Sequence, residues 1–193
     1  MQPYQKEALK LAKRSILEEF DLDNLEGYIP NLKELEEEKS CFVTLRKDKS
    51  LRGCIGNIFP IRKLYEDIIG NAKSAAFEDP RFSSLTKYEI ENSDSFYLDI
   101  TILSPIQEIE FISPKELIEF LNKKRPGLVL KLGYKKATFL PSVWEELKKP
   151  EDFLTHLLYK ASITGDEFKN HFNEMEFAWY EGEEFGNEWD KID

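Results

Sequence analysis

Six consecutive residues, Leu51-Arg52-Gly53-Cys54-Ile55-Gly56, constrain this chain more than any other stretch. They follow a β-rich run, Cys41 to Leu45, across the polar segment Arg46 to Lys49. Two β-prone runs around a polar tip read as a hairpin. Side chains on a strand alternate between faces. Leu51 and Ile55 then share one face, suited to a core, and Arg52, Cys54 and Gly56 share the other. Gly56 has no side chain, so that face carries a notch beside the cysteine. A guanidinium beside a thiol favours the thiolate, and one reading is a small pocket holding a cation and a soft nucleophile. The other reading is packing, because free cysteines are among the most buried residues and strand glycines mark bulges or close contacts. A hairpin turning symmetrically about Asp48-Lys49 sets Cys54 opposite Val43.

The rest of the chain frames this hairpin. Leu9, Ala12, Ile16 and Phe20 recur at helical spacing over residues 3–20, with Pro3 tolerated in the first turn. Leu64, Ile68, Ala72 and Ala75 do the same over residues 61–76, and the alanines permit close packing on a sheet. Asp79-Pro80 stops that helix, since a residue before proline avoids the α region. Strands are expected at 41–46, 51–58, 96–103, 128–132, 137–140 and 175–180. Ser113-Pro114-Lys115-Glu116 reads as a helix start, and Phe153, Leu154, Leu157, Leu158 and Ala161 as one face of a further helix. The charged Glu34 to Lys39 reads as a solvated segment, and the acidic tail from about 181 to 193 as a frayed, solvated end.

Length and composition bound the function. The chain has 193 residues, 41% hydrophobic and 33% charged, which suits one globular domain, alone or with a small appendage. A net charge of −10 argues against a broad phosphate-neutralising surface for nucleic acid. Arg46, Lys47, Lys49, Arg52, Arg62 and Lys63 still make the hairpin region locally basic, either a solvated tip or an anion-seeking mouth. Cys41 and Cys54 are two thiols rather than a disulfide framework. Together with His156, which faces solvent by helical phase, and His171, they show no zinc-site spacing. No apolar run is long enough to cross a membrane, and the start lacks a secretory pattern, so a cytoplasmic location is expected.

The hexapeptide, Ala75-Ala76-Phe77 with Asp79-Pro80-Arg81-Phe82, Phe139-Leu140-Pro141 with Val143-Trp144, and Lys160-Ala161 follow one another in an order that resembles the AMMECR domain family, which includes protein A of the AmmeMemoRadiSam system. The resemblance covers nearly the whole chain. It implies an α+β fold, with a mostly antiparallel sheet flanked by helices and a smaller subdomain. It also implies partners, because relatives occur fused to or encoded beside Memo-like and radical-SAM proteins. At Arg125-Pro126-Gly127 the chain departs from the family, Pro126 standing where a polar side chain is common. That weakens any mechanism needing an acid or base there.

Two classes of function follow. In the first, Arg52 and Arg81 clamp a small molecule or anion, Gly53 and Gly56 give it room, Cys54 is the nucleophile and Asp79 the nearby general base. No metal ligand set is expected, and no cofactor is specified. In the second, the hexapeptide face docks a partner protein and performs no chemistry.

Overall fold

The computed structural model describes residues 1–91 and 95–193. The elements run in the order α1 (Pro3–Glu18), α2 (Lys33–Glu36), β1 (Cys41–Lys47), β2 (Ser50–Gly56), α3 (Leu64–Phe77), α4 (Lys87–Glu91), β3 (Phe96–Leu103), β4 (Gln107–Ile109), α5 (Pro114–Lys124), β5 (Gly127–Leu132), β6 (Lys135–Phe139), α6 (Pro150–Lys160), α7 (Gly165–Asn170), β7 (Glu176–Tyr180) and β8 (Gly182–Glu188), with short 3-10 turns between some of them. The fold is α+β. The chain divides into two compact units, Met1–Leu103 with Glu183–Asp193, and Ser104–Gly182.

The first unit holds a four-stranded sheet in the order β2-β1-β3-β8, with β2 at one edge. β1 pairs antiparallel with both β2 and β3. Val43 and Leu45 on β1 and Leu98 and Ile100 on β3 are fully buried in one core with Ile16 of α1 and Ile68 and Ala72 of α3. Both helices therefore cover a single face of the sheet. The opposite face carries the alternate residues Thr44 and Arg46 on β1 and Tyr97 and Asp99 on β3.

The second unit has a sheet ordered β4-β7-β5-β6, antiparallel at the β4/β7, β7/β5 and β5/β6 pairings. Its core joins Leu128 and Leu130 to Leu117 and Leu121 of α5 and to Phe153 and Leu157 of α6. Trp144 stacks on Phe153 at 4.0 Å and donates its indole N–H to the Pro126 carbonyl. Pro126 thus has a backbone role here.

Two expectations need correction. The acidic tail is not frayed: it forms β8 and a closing turn, and Phe185, Trp189 and Ile192 are buried in the first unit's core. These three residues overcome the surrounding charge because each removes a large apolar area from water. The hairpin turns at Asp48-Lys49, but Cys54 lies opposite Thr44 rather than Val43. Lys47 pairs with Ser50 and Arg46 with Leu51, whereas Leu45 pairs with Gly53. Arg52 is therefore an extra residue, a β-bulge, and it moves every later residue of β2 by one position.

The hairpin loop also stores strain. Asp48 and Lys49 both adopt positive φ, 51° and 66°, as a two-residue turn between twisted strands demands. Such φ values disfavour any residue with a Cβ. Lys49→Gly should raise stability by about 0.5–1 kcal/mol after the entropy cost of glycine. Chemical denaturation checks it, and an unchanged or lower midpoint would show that the turn is not strained.

Candidate functional site

Helix α3 determines what the hexapeptide can do. A Cβ placed on Gly53 would lie 2.0 Å from the Ala75 carbonyl oxygen. That separation is impossible for any side chain, so the backbones of α3 and β2 touch at this glycine. Gly53 is a packing seat rather than a ligand-binding position. The alanines at the end of α3 make the matching surface on the helix.

Carboxylates pin α3 to the sheet at both ends. Near its start, buried Asp67 accepts the Cys41 amide at 2.9 Å, the Arg62 Nε–H at 2.9 Å, and the side-chain amides of Asn57 and Asn71, each at 2.9 Å. Asn71 also donates to the Cys41 carbonyl at 3.0 Å. Burial, followed by the Asp67 charge, pushes the Cys41 thiol far above its ordinary value. Just beyond the other end, Asp79 is only 4% exposed. Its Oδ2 accepts the Cys54 amide at 2.9 Å and Arg81 Nη2 at 2.7 Å, while Oδ1 accepts the Arg81 amide at 3.1 Å and Nε at 2.9 Å. Arg81 Nη2 also donates to the Cys54 carbonyl at 3.2 Å.

This arrangement gives Asp79 a different part from general base. Four donors occupy the acceptor positions of its two oxygens. The Arg81 guanidinium, helped by the two backbone amides, holds its carboxyl well below the usual carboxylate range despite burial. A carboxylate so occupied fastens a turn to a strand and has little basicity to offer a substrate.

Arg52 is corrected as well. Alternation pairs it with Cys54, but the bulge re-aims it. Its guanidinium forks onto Glu89, with Nε and Nη2 each 3.1 Å from a carboxylate oxygen, and its side chain is 12% exposed. Glu89 is drawn down to about 2, chiefly by Arg52, with Lys47 at 3.6 Å adding charge. Arg52 is thus committed to α4, and Leu51, paired with Arg46, leaves the core-facing set and is exposed. Gly56 is corrected too: the Phe42 ring fills its notch, with Cγ 2.4 Å from where a Cβ would stand.

Cys54 remains. It is partly buried on the polar face of the sheet, paired across to Thr44, whose hydroxyl donates to its sulfur at 3.3 Å. Thr44 in turn pairs with Asp99 on β3, and Asp99 accepts from Arg46 at 2.9 Å. The cation beside the thiol is Arg81. Its guanidinium is held charged first by Asp79, and Cys54 adds to that effect. The Arg81 side chain is 54% exposed.

Thr44 and Glu89 were absent from the sequence reading of the site. Thr44 enters through the bulged register, which changes no residue type. Glu89 lies far along the chain from Arg52, and its one local signal is the helix-start pattern Thr86-x-x-Glu89. Among the described residues, no group of three or more His, Cys, Asp or Glu could hold a metal ion, and no helix is long and apolar enough to cross a membrane.

Two outcomes follow. Gly53→Ala forces α3 off the sheet and should cost at least about 1–3 kcal/mol in thermal or chemical unfolding; an unchanged midpoint would contradict the contact. Asp79, with its folded carboxyl lowered, contributes stability that is complete above the ordinary carboxylate value near pH 4 and is lost as pH falls through the folded value. Asp79→Asn should therefore lose about 1.5–3 kcal/mol at pH 7. It should also show a shallower decline than the parent chain below about pH 4, measured by denaturation at several pH values.

Residues 9–185 match the family model described as AMMECR1. Protein MJ0810 of Methanocaldococcus jannaschii is 39% identical over 133 residues, covering 67% of this chain and 65% of that protein, just under two thirds of its length. Protein LS215_2104 of Saccharolobus islandicus is 33% identical over 168 residues, 82% of this chain and 71% of that protein. The crystal structure of an uncharacterized protein, PH0010 from Pyrococcus horikoshii, superposes with a TM-score of 0.78 at 27% identity, over 97% of this chain and 93% of that one. With the family model matched across residues 9–185, nearly the whole chain, this chain belongs to the AMMECR1 family.

Proposed function

We propose that the polar sheet face around Cys54 binds a small anion or anionic small molecule, with Arg81 supplying the charge and Cys54 the soft, nucleophilic group. The protein would act in a modification pathway shared with Memo-like and radical-SAM proteins. One observation carries the site: Cys54 is partly exposed, with a hydroxyl donor 3.3 Å from its sulfur and a half-exposed guanidinium bonded to the same residue's carbonyl. A guanidinium with unused N–H groups suits a carboxylate or phosphate. Asp79 serves by holding Arg81 in place, and Arg52, Gly53 and Gly56 serve by shaping the strand. The pathway rests on the family resemblance alone.

The alternative, a docking module without chemistry, has an observation of its own. Directly after β2, Phe59 and Ile61 are 60% and 71% exposed on either side of Pro60. An apolar knuckle beside the hexapeptide suits protein contact.

Thiol chemistry separates the two. Cys54 should react with a small disulfide reagent in the folded protein more than about tenfold faster than buried Cys41. Arg81→Ala should slow that reaction, whereas Phe59→Ala should not. Inorganic phosphate or a simple dicarboxylate should protect Cys54 if the face binds anions. A Cys54 as inert as Cys41, with no protection by either anion, would leave the docking reading standing.

A further inference from the structure

The four sheet edges of this protein are not defended alike. A free edge presents unpaired N–H and C=O groups to any passing strand, and proteins blunt it with charge, shortness or cover. In the first unit's sheet, β8 carries Glu183, Glu184 and Glu188 within seven residues. In the other sheet, β6 begins Lys135-Lys136, and β4 is three residues long. β2 is seven residues long, and its one charged side chain, Arg52 at the bulge, is committed to Glu89. From Gly53 through Ile61 the sequence Gly-Cys-Ile-Gly-Asn-Ile-Phe-Pro-Ile contains no charged residue, and the strand part of it lies on an outer edge.

Antiparallel pairing turns successive residues alternately toward and away from the neighbouring strand. Asn57 donates its amide inward, to the Cys41 carbonyl at 3.2 Å. Cys54 faces the other way, and its amide and carbonyl meet side chains instead of a strand. The Asp79 carboxylate stands where a neighbour's C=O would accept, 2.9 Å from the Cys54 nitrogen. The Arg81 guanidinium stands where a neighbour's N–H would donate, 3.2 Å from the Cys54 oxygen. The pair thus reproduces one rung of a missing strand. The bulge at Arg52 breaks the ladder on the hairpin side of this rung.

We infer that the Asp79/Arg81 pair is an edge guard, which occupies the outer rung of β2 and prevents that strand from pairing with β2 of a second copy. The occupant is a second copy for two reasons. The segment from Gly53 to Ile61 carries no charged residue, so no like charges stand opposite each other where two copies pair there. A two-fold axis at an outward residue lets the same amide and carbonyl satisfy each other in an isologous contact. An antiparallel pair centred on Cys54 would bring the two Cys54 residues directly opposite, with Cα atoms about 5.5 Å apart.

The test is a chain with Asp79→Ala and Arg81→Ala, compared with the parent by light scattering at equal concentration and by cross-linking with a short bis-maleimide. Cys41 is buried, so Cys54 is the thiol within reach of the reagent. The expected result is a parent of one-chain mass with no cross-link, and a variant of twice that mass, with native far-UV circular dichroism, cross-linked through Cys54. A folded variant of one-chain mass overturns the inference, as does association without a Cys54 cross-link. If the double variant loses its circular dichroism, Asp79→Ser with Arg81→Ala decides, because the shorter serine releases the Cys54 amide, the alanine uncovers its carbonyl, and a polar group stays in the turn. That chain should cross-link at Cys54 where the parent does not, and an absent cross-link overturns the proposal.

Discussion

The contact between the Gly53 backbone and the Ala75 carbonyl is the constraint on which this site depends. With any other residue at position 53, α3 would stand off the sheet. The amide of Cys54 and the carboxylate of Asp79 would then separate, because Asp79 follows α3 directly. Arg81 would lose its anchor, and the first unit's core would open between Ile68, Ala72 and Val43. The signature hexapeptide is therefore architectural first. Both of its glycines are filled by neighbours, its arginine is committed to Glu89, and one of its backbone units is bonded by a side-chain pair.

What the architecture leaves over is small and specific. The bulge at Arg52 sets Cys54 beside Thr44 on the polar face, because it shifts the register by one. In a regular register with Arg52 paired to Leu45, Cys54 would lie opposite Val43, which faces the hydrophobic core. The same bulge sends Arg52 away, so the charge near the sulfur comes from the Asp79-Pro80-Arg81 turn. The two cysteines illustrate the result. Each has its backbone amide bonded by a carboxylate, but Cys41 lies among core side chains and Cys54 among a hydroxyl and a guanidinium.

Much of the fold was legible because it follows from periodicity. Helical spacing marked α1 and α3, and alternation marked β1, β3, β5 and β7. The stop at Asp79-Pro80 located the turn that meets the hexapeptide. Three features were not legible, each for a physical reason. A β-bulge alters backbone pairing without altering composition, so the faces of β2 were misassigned for Leu51 and Arg52. The Arg52/Glu89 pair joins residues that only tertiary folding brings together. The tail's many acids outweighed Phe185, Trp189 and Ile192 in a compositional reading, although the burial of those three decides its structure. The notch at Gly56 failed for a similar reason, since the ring that fills it comes from the opposite strand.

The central claim is that the Asp79/Arg81 pair bonds the outer edge of β2 at Cys54 and so fixes the residue proposed to carry the chemistry. Native-state hydrogen exchange of the Cys54 amide tests it most directly. Protection reports the free energy of the opening that frees each amide. Cys54 should exchange as slowly as amides inside the β1/β3 ladder, while the amide of Gly56, turned outward two residues on, exchanges fast; Asp79→Ala should abolish protection at Cys54 and spare β1 and β3. A Cys54 amide that exchanges as fast as that of Gly56 in the parent chain would contradict the account.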